Sequence, residues 1–272
     1  MLLGVNGTTL YYEDIGSGPP MLMIHGAGDS ADDLSGQAQR LAPHFRCISY
    51  DHRGHSRSPL GDVAERSLQL DVDDAAALIT ALAIAPCLLF SISSGGQIAL
   101  ELLRQHPTLI TAAIFAEPGI FSLDPQGAQA LFQTVRPAMD AAVAREGPEG
   151  AVVGLLAVIA PGLWETLPEE RQRVYRQNSP RLLEDMIRPL PSVTSADLAR
   201  ITHPCLVIRG DESLPGLRNI AAIMAESLPN GQLVDLAGAG HLPYFDRPTE
   251  LAAAITSFAT HLPSAAAPHP SS

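Results

Sequence analysis

Between residues 8 and 116 the chain alternates short apolar runs with segments whose apolar side chains recur every three or four positions. That alternation restricts the fold more than any other feature. Two strands separated by a helix join as a right-handed crossover between parallel neighbours. Repeated along the chain, this unit places helices on both faces of one sheet. Strands are expected at Thr8–Asp14, Met21–Ile24, Arg46–Tyr50, Cys87–Ser91 and Leu109–Ala116. Helix faces are read from Leu34, Ala38 and Leu41, from Val72, Ala75, Leu78, Ile79 and Leu82, and across Gly95–His106.

The rhythm breaks after Glu117-Pro118-Gly119. From Phe121 to about Ser195 the pattern is helical, and eight prolines between Pro125 and Pro191 divide it into several short helices. One is expected to start at Thr166-Leu167-Pro168-Glu169, which has the spacing of a capping box with proline in the first turn. Strands return at Cys205–Arg209 and Gln232–Leu236. Leu217, Ile220, Ala221, Met224 and Leu228 mark one further helix, and Leu251, Ile255 and Phe258 the closing one. The expected architecture is therefore α/β. Residues 1–120 and 196–263 form the core, 121–195 a helical insertion, and 264–272 a disordered tail.

Composition narrows the partners. With 46% hydrophobic and 17% charged residues, the 272-residue chain carries enough apolar surface for a packed core. Seventeen Lys and Arg against 29 Asp and Glu give a net charge of −12. Such a surface repels phosphate backbones and anionic lipid, so neither nucleic acid nor membrane is an expected partner. The most apolar stretch, Ala151–Ala160, ends at Pro161 and is far short of the ~20 residues of a membrane span. Cys47, Cys87 and Cys205 have neither disulfide nor zinc spacing, and the N-terminus lacks a basic region before an apolar run. A cytoplasmic location is expected.

The chemistry is concentrated where the strand Leu88-Leu89-Phe90 runs into Ser91-Ile92-Ser93-Ser94-Gly95-Gly96. A serine in a sharp strand-to-helix turn projects its hydroxyl above the sheet, and only small residues fit two before and two after it. Ser93 has Ser91 and Gly95 at those positions. Ser94 would have Ile92, and Ser91 would have Leu89. Ser93 is therefore the candidate nucleophile, although SSGG also suits an ordinary helix cap. A serine hydroxyl needs a base to take its proton. His241, in Gly238-Ala239-Gly240-His241-Leu242-Pro243 after the last strand, is the candidate. An oxyanion would be held by two backbone N–H groups, those of Ser94 and of Ala27 in His25-Gly26-Ala27-Gly28, with Gly26 allowing the turn. Asp51-His52-Arg53-Gly54-His55 offers two ligand-type histidines but no evident third ligand, so it is read as a structural turn and no metal is expected.

With these motifs in order – the HG-x-G strand end, D-x-R-G-x-x-x-S from Asp51 to Ser58, the serine turn and G-x-G-H – the chain resembles the α/β-hydrolase superfamily over almost its whole length. The resemblance implies a mostly parallel eight-stranded sheet, a cap formed by the helical insertion, a Ser–His–acid triad and no cofactor. Most relatives carry the acid as G-x-x-D after the seventh strand. Here that stretch is Arg209-Gly210-Asp211-Glu212-Ser213, with serine in the aspartate's place. A minority place it after the sixth strand, where this chain has Glu117. Glu117 is the preferred acid, with Asp211 and then Glu212 as alternatives. The chain is similar in particular to fungal lactonases that open the zearalenone macrocycle. The likeness lies in N-G-x-T-x-Y-Y-E (Asn6 to Glu13), in the Ser-Ser-Gly turn and in the residues around Glu117.

The function expected on these grounds is hydrolysis of a small apolar carboxylic ester or lactone, with a zearalenone-type macrolactone as one case. The alternatives are cleavage of a C–C or other acyl bond on the same triad, and a ligand sensor without turnover. A homodimer is left open. In the insertion, Phe121, Phe132, Leu163, Trp164, Tyr175 and Met186 are candidates to line a pocket, with Trp164 singled out as a substrate contact.

Overall fold

The computed structural model describes residues 1–262, so the tail expected at 264–272 lies outside the described residues. Eight strands form one sheet: β1 (Leu2–Val5), β2 (Thr8–Ile15), β3 (Pro20–Ile24), β4 (Arg46–Tyr50), β5 (Cys87–Ile92), β6 (Ile110–Ala116), β7 (Cys205–Gly210) and β8 (Gly231–Leu236). Their order is β1-β2-β4-β3-β5-β6-β7-β8. The β1–β2 and β2–β4 pairs are antiparallel and the other five are parallel. This is the α/β-hydrolase fold. β5 is buried along its whole length, as a parallel strand covered by helices on both faces must be.

The helices are α1 (Ala31–Leu41), α2 (Leu68–Ala81), α3 (Gly95–Gln105), α4 (Pro125–Glu146), α5 (Ala151–Ile159), α6 (Leu163–Thr166), α7 (Glu169–Asp185), α8 (Ser195–Leu198), α9 (Pro215–Ser227), α10 (Pro243–Asp246) and α11 (Pro248–Thr260). Alternation along the strands separates two cores. Leu22, Ile24, Leu89 and Phe115 face α2, α3 and α9, while Met21, Met23, Phe90 and Ile114 face α1 and α11. Between β6 and β7 the chain is helical, running from α4 through α8. No helix among the described residues is long and apolar enough to cross a membrane.

Two local readings need correction. β1 was not expected. It pairs with β2 through Asn6-Gly7, whose φ values of 43° and 71° form the left-handed two-residue turn that asparagine and glycine favour. Thr166 caps nothing. It ends α6, where its hydroxyl donates to the Leu163 carbonyl at 2.8 Å, and Pro168 stands at the N-cap of α7.

The strand order brings remote segments together. β3 and β5 are neighbours, so the loop after Ile24 lies beside the turn after Ile92. β6 flanks β5 on its other side, β7 flanks β6, and β8 flanks β7. The carboxyl ends of β3, β5, β6 and β8 therefore open onto one crevice where the crossover direction reverses, the usual site of ligands in open α/β sheets.

Candidate active site

Ser93 lies between β5 and α3 with φ at 52°, a left-handed conformation that costs a non-glycine residue about 1–2 kcal/mol. Its surroundings hold it there. Ser93 N–H donates to the Ala116 carbonyl at 3.1 Å, and its own carbonyl accepts from Gly96 at 3.0 Å and Gly119 at 2.9 Å. The demand for small neighbours is visible as distances. A Cβ on Gly95 would stand 2.5 Å from the His25 carbonyl oxygen and 2.7 Å from that of Ile24. Ser91 fits because its buried hydroxyl donates to the Ile114 carbonyl at 3.2 Å.

His241 reaches this turn from the loop after β8. Its Nε2 lies 3.0 Å from Ser93 Oγ and its Nδ1 3.0 Å from Glu117 Oε2. Glu117 directly follows β6, is fully buried, and also has a positive φ of 51°. Its backbone N–H is tied to the Ile208 carbonyl at 2.8 Å. Three donors surround its carboxylate: Gly210 N–H at 2.6 Å on Oε1, and Ser213 O–H at 2.5 Å and His241 on Oε2. Ser213 occupies the position where most relatives carry the acid, and here it donates to an acid from the neighbouring strand. Its contribution was not anticipated from sequence. Asp211 and Glu212 are exposed, and Asp211 takes the Gly238 N–H at 2.7 Å, away from the histidine.

The tautomer follows from these contacts. A carboxylate on Nδ1 keeps the proton there, leaving Nε2 free to accept from the Ser93 hydroxyl. Such a relay can move a proton off the serine as the oxygen attacks an electrophile. The N–H groups of Ala27 and Ser94 have no acceptor among the described residues. They are the kind of donors that stabilise a developing oxyanion. The Gly26 α-carbon packs against the serine, since a Cβ there would lie 3.3 Å from Ser93 Cβ.

Ser93 and His241 line a pocket of about 1030 Å³, its open mouth included. Apolar walls come from Leu131 and Val135 of α4, Leu156 of α5, Leu182 of α7, and Leu217 of α9. Phe121, Phe132 and Met186 also line it, whereas Leu163, Trp164 and Tyr175 do not. Trp164 packs beneath the Arg176 guanidinium, 5.0 Å from the ring centroid, so its expected substrate contact is replaced by a surface-side one. Tyr175 is buried and donates to Asp33 at 2.6 Å. The pocket's polar groups Asp29, Gln97, Asp185 and Arg188 were not singled out from sequence, because no motif marks them.

His25, His52 and His55 form a buried cluster, in which the His25 and His52 rings stack with centroids 3.6 Å apart and His55 meets both edge-on. Burial holds all three below the ordinary histidine value, so they are uncharged. Among the described residues no group of three His, Cys, Asp or Glu side chains has a geometry suited to a metal ion.

A sequence profile of the alpha/beta hydrolase family matches residues 21–254. An uncharacterized hydrolase of Bacillus subtilis, YraK, is 37% identical over 122 residues, covering 44% of this chain and 45% of that protein's length. RutD of Serratia proteamaculans, described as a putative carbamate hydrolase, is 28% identical over 248 residues, or 85% of this chain and 89% of that one. Among solved structures, a thermophilic esterase from Thermogutta terrifontis superposes with a TM-score of 0.78 at 22% identity, over 96% of this chain and 99% of its own.

Proposed function

The chain belongs to the alpha/beta hydrolase family, and on that ground we propose that it hydrolyses a carboxylic ester or lactone through an acyl-enzyme on Ser93. The observation that carries the reading is the unbroken relay from Ser93 through His241 to Glu117, with 3.0 Å at each step. Ser93 Oγ attacks the carbonyl carbon while His241 Nε2 takes its proton. The Ala27 and Ser94 N–H groups hold the tetrahedral oxyanion. His241 then returns the proton to the departing alkoxide, which leaves Ser93 acylated. A water that gives its proton to His241 attacks the acyl carbon, and collapse of the second intermediate frees the acid. Glu117 stays ionised throughout, holding the imidazole's orientation and stabilising the imidazolium. No step calls on a cofactor.

The apolar walls suit an apolar ester, and the segment from Phe121 to about Ser195 serves as the cap that shapes specificity. The sequence likeness to zearalenone-opening lactonases nominates a macrolactone as a substrate to assay. RutD's description adds carbamates as a further class to assay.

The test is labelling with a fluorophosphonate, followed by assays on p-nitrophenyl esters, lactones and a vinylogous diketone acid. Wild-type protein should label on Ser93 and turn over esters or lactones, and Ser93→Ala should do neither. Faster turnover of the diketone acid would move the assignment to C–C bond cleavage. Absence of labelling would leave a ligand-binding protein without turnover.

A further inference from the structure

Three ionisable groups in the pocket have no part in that reaction: Asp185 and Arg188, which pair with each other at 3.3 Å, and Asp29. Asp29 lines the pocket wall but is 6% exposed. It stands on the loop that carries the Ala27 N–H. An ideal Cβ on Gly26 would lie 3.0 Å from Asp29 Oδ2 and 3.3 Å from Ser93 Cβ. The carboxyl is thus one side chain's width from the nucleophile.

Its two oxygens differ. Oδ2 accepts from Gly26 N–H at 3.3 Å and from Tyr244 O–H at 3.2 Å. Oδ1 has no partner among the described residues and is the oxygen offered to whatever fills the pocket. The backbone behind it is pinned. Asn178, itself buried, donates to the carbonyls of Asp29 at 2.9 Å and Gly28 at 3.3 Å.

Asp29 also has no counter-ion among the described residues. Arg171, a cation whose charge acts on Asp29, is paired with Asp32 at 3.1 Å and with Asp33. Tyr175 donates to Asp33 as well. Burial, with Asp33 second, pushes the Asp29 carboxyl well above the ordinary aspartate range, and burial likewise keeps the Tyr244 hydroxyl protonated. Burial without a counter-ion favours the neutral carboxyl. In that form the two donors on Oδ2 make it the carbonyl oxygen and leave the proton to Oδ1.

We infer that Asp29 is the specificity-determining residue of the pocket, its Oδ1–H donating to an acceptor oxygen on the acyl side of the substrate. The acceptor lies two or three bonds from the scissile carbonyl carbon, since attack places that carbon about 3 Å from Ser93 Oγ. The substrate class is an ester or lactone with an ether, keto or hydroxyl oxygen beside its reacting carbonyl. An all-carbon acyl chain leaves the donor unpaired in a dry wall and is selected against. This inference rests on the serine-hydrolase reading above.

The test compares p-nitrophenyl methoxyacetate with p-nitrophenyl butanoate, which differ by one oxygen for one methylene. Each kcat/KM is divided by the ester's alkaline hydrolysis rate to remove intrinsic reactivity. Wild-type protein should prefer the methoxyacetate by about tenfold, the effect of one hydrogen bond in a dry site. Asp29→Asn should keep the preference, because its amide oxygen accepts from Gly26 and Tyr244 and its N–H points into the pocket. Asp29→Val should bring the ratio to about one. The ratio is the readout, with fluorophosphonate titration counting competent Ser93 in each sample. A wild-type ratio near one overturns the assignment without any variant. So does an undiminished ratio in Asp29→Val, or its loss in Asp29→Asn. Labelling without preference overturns the Asp29 assignment alone, and no labelling overturns the serine reading with it.

Discussion

Replacing Glu117 by glutamine probes the relay at its least accessible point. The change is nearly isosteric, so the effect is electrostatic and tautomeric. Gly210 N–H stands 2.6 Å from Oε1 and requires an acceptor there, so the new amide must keep its oxygen at that position. The NH₂ group then faces His241 Nδ1 and Ser213 Oγ, where the carboxylate had accepted. An N–H directed at Nδ1 forces that nitrogen to be the acceptor and moves the ring proton to Nε2. Nε2 then donates toward Ser93 and cannot take its proton. The same tautomer reversal in a serine-protease triad lowers kcat by about 10⁴, equivalent to about 5.4 kcal/mol of transition-state stabilisation. A loss of that order is expected for Glu117→Gln in kcat on p-nitrophenyl esters, with KM little changed. Asp211→Asn, at an exposed residue that takes only the Gly238 N–H, should stay within about tenfold of wild type. A thermal melt of each variant reports folding. A folded Glu117→Gln with kcat within tenfold of wild type would refute the orienting role.

Three further outcomes are expected. Gly95→Ala places a Cβ against two backbone carbonyls that cannot yield, and should destabilise the protein by about 3 kcal/mol in urea denaturation; an unchanged midpoint would contradict that packing. Asp74→Ala strands the fully buried Arg53 guanidinium, now paired at 2.6 Å, and should cost about 3–5 kcal/mol by the same measurement. Stability should also fall with acid: His25, His52 and His55 are held below the ordinary value of 6.5 in the folded protein, so below that pH only the unfolded chain takes up their protons. Their contribution is complete above pH 6.5 and is lost as pH drops, at up to about 4 kcal/mol per pH unit for three groups. His52→Gln should reduce that slope by about a third, and a flat profile from pH 7 to 5 would exclude uncharged burial.

The residues differ in how visibly they announced their roles. The parallel core was legible because fully covered strands must be largely apolar, as Cys87–Phe90 is. β1 was missed because Leu2–Val5 is short and mostly solvent-facing, although its Asn6-Gly7 turn carried the signal. The capping pattern at Thr166 misled because spacing alone does not show that the threonine already closes another helix. Trp164 was a compositional guess, and packing turned it toward Arg176.

Steric demands that act over a few residues left their record in the chain: the small flanks of Ser93, the glycines before His241, and the strand–helix alternation could be read without coordinates. Which carboxylate meets the imidazole could be ranked, with Glu117 ahead of Asp211 and Glu212, but not decided. Glu117 and His241 are 124 positions apart and Ser93 and His241 are 148, so their meeting depends on the order of strands in the sheet and on the register of β6 against β7. Asp29 depends on the tertiary fold in the same way. Its burial, its two donors on one oxygen and its missing counter-ion arise from segments that come together only when the sheet and its helical cover have assembled.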